Sequence, residues 1–169
     1  MTLWVESEGG PLAVVPVSAL SSWHGCTEAG VIVGDGASPD DYDRACAVDD
    51  LVGLLLVGPS QALVLADDPA RTCYLAEDRA FLRWGCADSE ADLLASAAAT
   101  LADPGTTWAE FGTWITDGPA VMFDSAEAGI EDFDSVRAPV PLAAGRWRVR
   151  TVQVDEQRTS FTLVQLLPA

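Results

Sequence analysis

The chain has 169 residues, 26 acids against nine bases and a formal charge of −17, and every base is an arginine. A length of this size is normally one domain that buries roughly 70% of its unfolded surface. The field repels nucleic acid and anionic lipid and favours a basic partner.

Apolar residues make up 49% and mean hydropathy is +0.20, too apolar for a disordered acidic chain. The charge is uneven. Residues 1–135 carry 24 acids and four arginines (−20), and residues 136–169 carry two acids and five arginines (+3). The longest apolar run, Leu54–Val57, is far short of the roughly 20 residues that span a bilayer. The opening MTLWVESEGG has no basic segment and no apolar stretch, so no secretory signal is expected and a cytoplasmic location follows. Cys26, Cys46, Cys73 and Cys86 form no C-x-x-C pair and are expected reduced and mostly buried.

Taken in chain order, Leu3–Glu6 reads as a first strand, Gly9-Gly10-Pro11 as a turn and Leu12–Val15 as a second strand. Pro16–Trp23 suits a short helix, with Pro16 at its first position and Gly25 after its end. Residues 33–41 are a loop by composition, and Tyr42–Val48 alternates weakly as a strand. Gly53–Val57 and Gln61–Leu65 make a hairpin around Gly58-Pro59-Ser60, and Thr72–Leu75 with Ala80–Trp84 another. Asp67-Asp68-Pro69 is a turn between them.

The principal helix is expected over about residues 88–102. Ser89 caps it, Asp92 completes a partial capping box, and Leu93, Leu94, Ala97, Ala98 and Leu101 form its apolar stripe. Asp103-Pro104-Gly105 stops it. Trp108–Ile115 follows, then the turn Asp117-Gly118-Pro119, the strand Ala120–Phe123 and an acidic loop over residues 124–135. Arg146–Val154 alternates strictly and returns through Asp155–Arg158 into Ser160–Leu166, a hairpin with one arginine-lined face.

Three segment pairs match in the same order: WVESEGGPLAVV from Trp4 with WITDGPAVMF from Trp114, YDRACAVDD from Tyr42 with RWRVRTVQVDE from Arg146, and QALVLADDP from Gln61 with SFTLVQLLP from Ser160. They suggest an internal duplication, with halves over about residues 1–87 and 108–169. The fold class is therefore α+β, a single domain of mainly antiparallel sheet with one principal helix packed on it.

Chemistry is sparse. His24 is the only histidine, and no nucleophile elbow, phosphate loop, dinucleotide fingerprint or zincin pattern is present. No metal and no cofactor are expected, since one histidine with scattered cysteines does not supply a zinc set and neither acidic cluster has the order of a calcium loop. Asp35, Asp40, Asp41, Asp43, Asp49 and Asp50 form one acidic stretch, and Glu127, Glu131, Asp132 and Asp134 a second. Three readings stand for them: solvated loops, a protein-binding face, or carboxylates for hydrolysis or metal. The six tryptophans are read as core anchors, with one or two at an interface.

WVESEGGPLAVVP from Trp4, DYDRACAVDDLVGLLLVG over Asp41–Gly58, ALVLADDP over Ala62–Pro69, FLRW over Phe81–Trp84, DGPAVMFDSAEAG over Asp117–Gly129 and GRWRVRTVQVDEQRTSFTLVQL over Gly145–Leu166 run nearly end to end. Together they resemble the immunity protein 21 family of bacterial polymorphic-toxin systems, most specifically in D-Y-D-R-A-C and the apolar hairpin after it. The resemblance implies a non-enzymatic inhibitor that binds a cognate toxin with a basic surface, such as a nuclease, in the producing cell. It transfers no catalytic residue. Asp41, Tyr42, Asp43 and Arg44 match its motif, where a structural role is open: Arg44 tying the acids, Tyr42 in the core. The alternatives are a general acidic protein- or ligand-binding module, and a carboxylate-dependent hydrolase. The two acidic stretches are the expected toxin contacts, 35–50 first and 127–134 second.

Overall fold

Strand-forming sequence dominates the chain, and its apolar runs decide how the strands stack. The computed structural model describes residues 1–66, 68–130 and 135–169. In chain order they form β1 (Trp4–Val5), β2 (Leu12–Pro16), a 3₁₀ turn (Val17–Ser22), α1 (Asp41–Cys46), β3 (Val52–Val57), β4 (Ser60–Leu65), β5 (Thr72–Leu75), β6 (Ala80–Cys86), α2 (Glu90–Ala102), β7 (Ala109–Thr116), β8 (Ala120–Asp124), β9 (Ala138–Val140), β10 (Gly145–Asp155) and β11 (Ser160–Pro168).

The strands make two antiparallel sheets, β1-β5-β6-β11-β10-β7 and β3-β4-β2-β8-β9. Leu12, Leu63, Phe81, Trp114, Met122 and Leu166 belong to one buried cluster drawn from both sheets, so the main core lies between them. The outer face of the five-stranded sheet is covered by Trp23, Ala19 and Ala45 from the 3₁₀ turn, its flank and α1. The outer face of the six-stranded sheet is covered by α2 through Leu93 and Ala97.

This is richer in strand than one helix on a sheet, and the reason is visible in the burial. All five residues of β2 are buried, as are four successive residues of β4 and of β6. Covered on both faces, such strands need no polar side and lose the alternation that would reveal a layer on each face. The C-terminal hairpin keeps its alternation: Trp147, Val149 and Thr151 are buried while Arg146 and Arg148 point to solvent. β9 is three residues with Pro139 at an edge position, too short to register as a strand in sequence.

Local signals set α2 as expected. Ser89 Oγ accepts from Asp92 N at 3.1 Å and donates to Asp92 Oδ2 at 2.6 Å. Of the expected stripe, Leu93 and Ala97 are buried and Leu94 and Leu101 half-buried, while Ala98 is exposed. The region expected as a strand over Tyr42–Val48 is instead the helix α1. Asp40 and Asp43 cap each other reciprocally at its start, and that local bonding outweighs a weak alternation. The short helix expected over Pro16–Trp23 forms as a 3₁₀ helix over Val17–Ser22, with Pro16 at the end of β2 and just before its first turn rather than within it.

The segment matches divide. β2 and β8 pair with Val14 opposite Met122, Leu12 opposite Asp124 and Pro16 opposite Ala120. Superposing Pro11 on Pro119 exchanges those outer pairs, so the Gly-Pro-apolar match lies about a local twofold. The six-stranded sheet has the same character, β1-β5-β6 meeting β11-β10-β7 in reverse order. The other two matches do not correspond: the Tyr42 segment is α1 whereas the Arg146 segment is β10, and β4 and β11 lie in different sheets. Trp4 packs in the outer α2 cluster and Trp114 in the inner core.

Trp114 ties the two sheets. It is 0% exposed, and its Nε1 donates to the Gln61 carbonyl of β4 at 2.9 Å. The Gln61 side-chain oxygen also accepts from Ile115 N, on the outer edge of β7, at 3.2 Å. Trp23 is likewise buried, while Trp4 and Trp84 sit half-buried beneath the Arg71 guanidinium, 5.3 and 5.0 Å from their ring centres. Trp114→Ala is expected to lower unfolding free energy by about 3–5 kcal/mol in chemical denaturation. Ala98→Ser, on the exposed side of α2, is expected to change it by less than about 0.5 kcal/mol.

Candidate functional site

Residues 24–39 contain no helix or strand, so their backbone groups need partners that no ladder supplies. Carboxylates from the first turn of α1 supply them. Asp43 Oδ2 accepts from Val31 N at 2.7 Å and from Asp40 N at 2.8 Å, and Asp43 Oδ1 accepts from Ile32 N at 2.9 Å. Asp40 Oδ2 accepts from Thr27 N at 2.7 Å, and Asp40 Oδ1 from Asp43 N at 2.8 Å. Asp41 Oδ2 accepts from His24 N at 2.7 Å. A Cβ on Gly30 would overlap the Asp40 carboxylate, which explains the glycine there.

The loop closes on itself as well. Asp35 N donates to Glu28 O at 2.8 Å, Ser38 N to Ala29 O at 2.8 Å and Gly36 N to Gly30 O at 2.9 Å. The result is a compact Ω-like loop stapled to a helix start. Arg44 locks the far side of that helix: Nη1 binds Asp41 Oδ1 at 2.8 Å and Nη2 donates to Leu56 O on the edge strand β3 at 2.6 Å. Tyr42 is half-buried, its ring lying where a Cβ on Gly10 would be. Tyr42 and Arg44 thus both make tertiary contacts, Tyr42 with Gly10 and Arg44 with Leu56.

The electrostatics follow from these contacts. The Val31 N–H, then the Asp40 and Ile32 N–H groups, hold the Asp43 carboxyl below its ordinary value against the opposing effect of burial. Burial, reinforced by the nearby Asp40 charge, pushes the Cys26 thiol up to about 11. Burial and a bond to the Cys46 side chain push the Tyr42 phenol up to about 12. Cys26 is therefore a neutral thiol near neutral pH and a poor nucleophile. Among the described residues no group of three or more His, Cys, Asp or Glu is arranged to hold a metal ion.

The second acidic stretch begins beside the first. Cys26 N donates to Ala126 O at 2.9 Å and Gly129 N to Trp23 O at 2.8 Å, so residues 126–129 lie against the start of the loop. Glu127 there is half-buried and bound by Arg137 Nη2 at 3.1 Å. Glu131, Asp132 and Asp134 lie outside the described residues, as does Asp67. Asp35, Asp49 and Asp50 are exposed; Asp35 Oδ1 accepts from Ala37 N at 2.9 Å and Asp50 Oδ1 from Leu51 N at 2.7 Å.

Between the staples stand residues that the acidic pattern obscured. Val31, Ile32 and Val33 are 56, 56 and 66% exposed, three apolar side chains in succession. Their signal in sequence is a β-branched triplet enclosed by Gly30 and Gly34, too short and too isolated for a strand. The arginine face of the C-terminal hairpin is partly neutralised: Arg148 pairs with Glu110 at 3.2 Å, Arg158 with Asp88 at 2.6 Å, and Arg150 stacks 4.2 Å from the Trp108 ring centre.

Because the folded Asp43 value is depressed, its stabilising contribution is complete above the ordinary value of 3.8 and is lost as pH falls through the folded value. The Val31 and Ile32 amide signals are expected to move in an NMR titration with a midpoint below 3.8. Asp43→Ala is expected to speed exchange of both amides at neutral pH while leaving the β2 and β8 amides protected.

The sequence profile described as Immunity protein 21 matches residues 3–160. No curated protein and no solved structure matches the chain. The matched range runs from just before β1 to the first residue of β11, taking in both sheets, α2 and the stapled loop, and the chain belongs to the Immunity protein 21 family.

Proposed function

We propose that the protein neutralises a cognate polymorphic toxin by binding it in the cytoplasm of the bacterium that makes both, without catalysis of its own. Family membership over residues 3–160 carries this reading. The charge supports it: a protein of formal charge −17 associates rapidly with a basic partner, and a nuclease toxin presents such a surface in its substrate cleft. The chemistry supports it too, because Asp40, Asp41 and Asp43 spend their oxygens on backbone amides and Arg44 rather than converging on a substrate.

The acids then divide by role. Asp40, Asp41 and Asp43 build the binding loop, and the exposed carboxylates of Asp35, Asp49 and Asp50 steer the toxin toward it. Glu127 is engaged by Arg137 and contributes less.

Expression of the toxin encoded beside this gene is expected to arrest growth, and co-expression of the immunity protein to restore it, with both proteins co-purifying. No rescue and no co-purification would refute the reading. Replacing Asp35, Asp49 and Asp50 together by Asn is expected to slow association roughly tenfold at low salt and to flatten its salt dependence, with thermal stability unchanged. Stopped-flow measurement across salt concentrations reads both effects.

A further inference from the structure

Scattered exposed apolar residues are ordinary on a protein surface, but three in succession at the tip of a loop are not. Val31, Ile32 and Val33 are more than half exposed and sit on a loop bonded to α1 through successive amides. The amides of Val31 and Ile32 are bound by Asp43, and the loop on either side is closed by the 35-to-28 and 38-to-29 backbone bonds. A loop that merely tolerated these side chains could turn them inward; this one is bonded so that they face out.

We infer that Val31-Ile32-Val33 is the apolar anchor of the toxin interface, seated in an apolar pocket whose rim is basic. This rests on the toxin-binding reading above and adds where and by what chemistry the contact is made. Ordering costs favour it, because the loop is already fixed and β-branched side chains have little χ1 freedom left to lose. Charge selects the occupant. Glu28 and Asp35 are exposed and joined across the base of the tip, so a matching pocket carries arginine or lysine at its edge. The same charge disfavours a second copy of this chain, which brings another −17 to the contact.

The test uses the full chain and the co-expressed toxin. Val31→Ser, Ile32→Ser and Val33→Ser combined are expected to weaken toxin affinity by about 100-fold or more, chiefly through faster dissociation. Thermal stability and the slow exchange of the Asp43-bound amides at positions 31 and 32 are expected to stay as in the wild type, since the replaced side chains lie mostly in solvent. Ile32→Asp alone is expected to give the same direction of effect. Leu56→Ser, an equally exposed apolar residue on β3, is the control expected to leave affinity unchanged. If the wild type binds the toxin and the triple variant binds equally well, the anchor is refuted and the toxin-binding reading survives. If the wild type neither binds nor rescues, the toxin-binding reading itself fails. If the wild type is a dimer by light scattering, and the triple variant is a monomer with undiminished toxin affinity, the tip belongs to self-association and the inference is overturned.

Discussion

The reciprocal bonding of Asp40 and Asp43 at the start of α1 is the constraint on which the loop over residues 24–39 depends. A two-sheet core would form without it, because the apolar contacts between the sheets are made by other residues. The loop over residues 24–39 would not. It has no ladder and little buried apolar surface, and its conformational entropy is offset mainly by carboxylate bonds to successive amides. Aspartate suits the task through its short side chain and two oxygens, one for the helix end and one for the loop.

The same residues show what sequence can and cannot convey. The capped helix α2, the two β3–β6 hairpins and the alternating C-terminal hairpin are set by local signals, and all are legible in sequence. α1 is not, since six residues of helix are decided by capping partners and by packing on β3, while their weak alternation resembles a strand. The second sheet is hidden for a different reason: β2 and β4, covered on both faces, read as plain apolar runs. At the site, the acidic cluster is obvious in the sequence but the direction of its oxygens is not. A carboxylate aimed at solvent and one aimed at a neighbouring amide are the same letter, and only the fold separates Asp43 from Asp49.

Net charge is similarly refined by structure. Arginines of the basic C-terminal hairpin are partly absorbed by Glu110, Asp88 and the Trp108 ring, and Arg137 is drawn into the segment after β8 by Glu127 and the carbonyls of Ala128 and Gly129. Several cations are thus committed internally while the exposed acids around the loop keep their field. Exposed acids and exposed apolar side chains lie together on the loop over residues 24–39.

The small bonds at the sheet margins have a consequence for how the chain meets its neighbours. Sandwiches with open margins are prone to recruiting further strands from unfolding or newly made neighbours. Here Arg44 occupies the outward carbonyl of Leu56 on β3, Gln61 occupies the outward amide of Ile115 on β7, and Pro139 interrupts the donors of β9. Each blocks a position at which an incoming chain would begin to pair. A strand-rich chain in which 49% of residues are apolar is thereby protected at three of its open margins against edge-to-edge association.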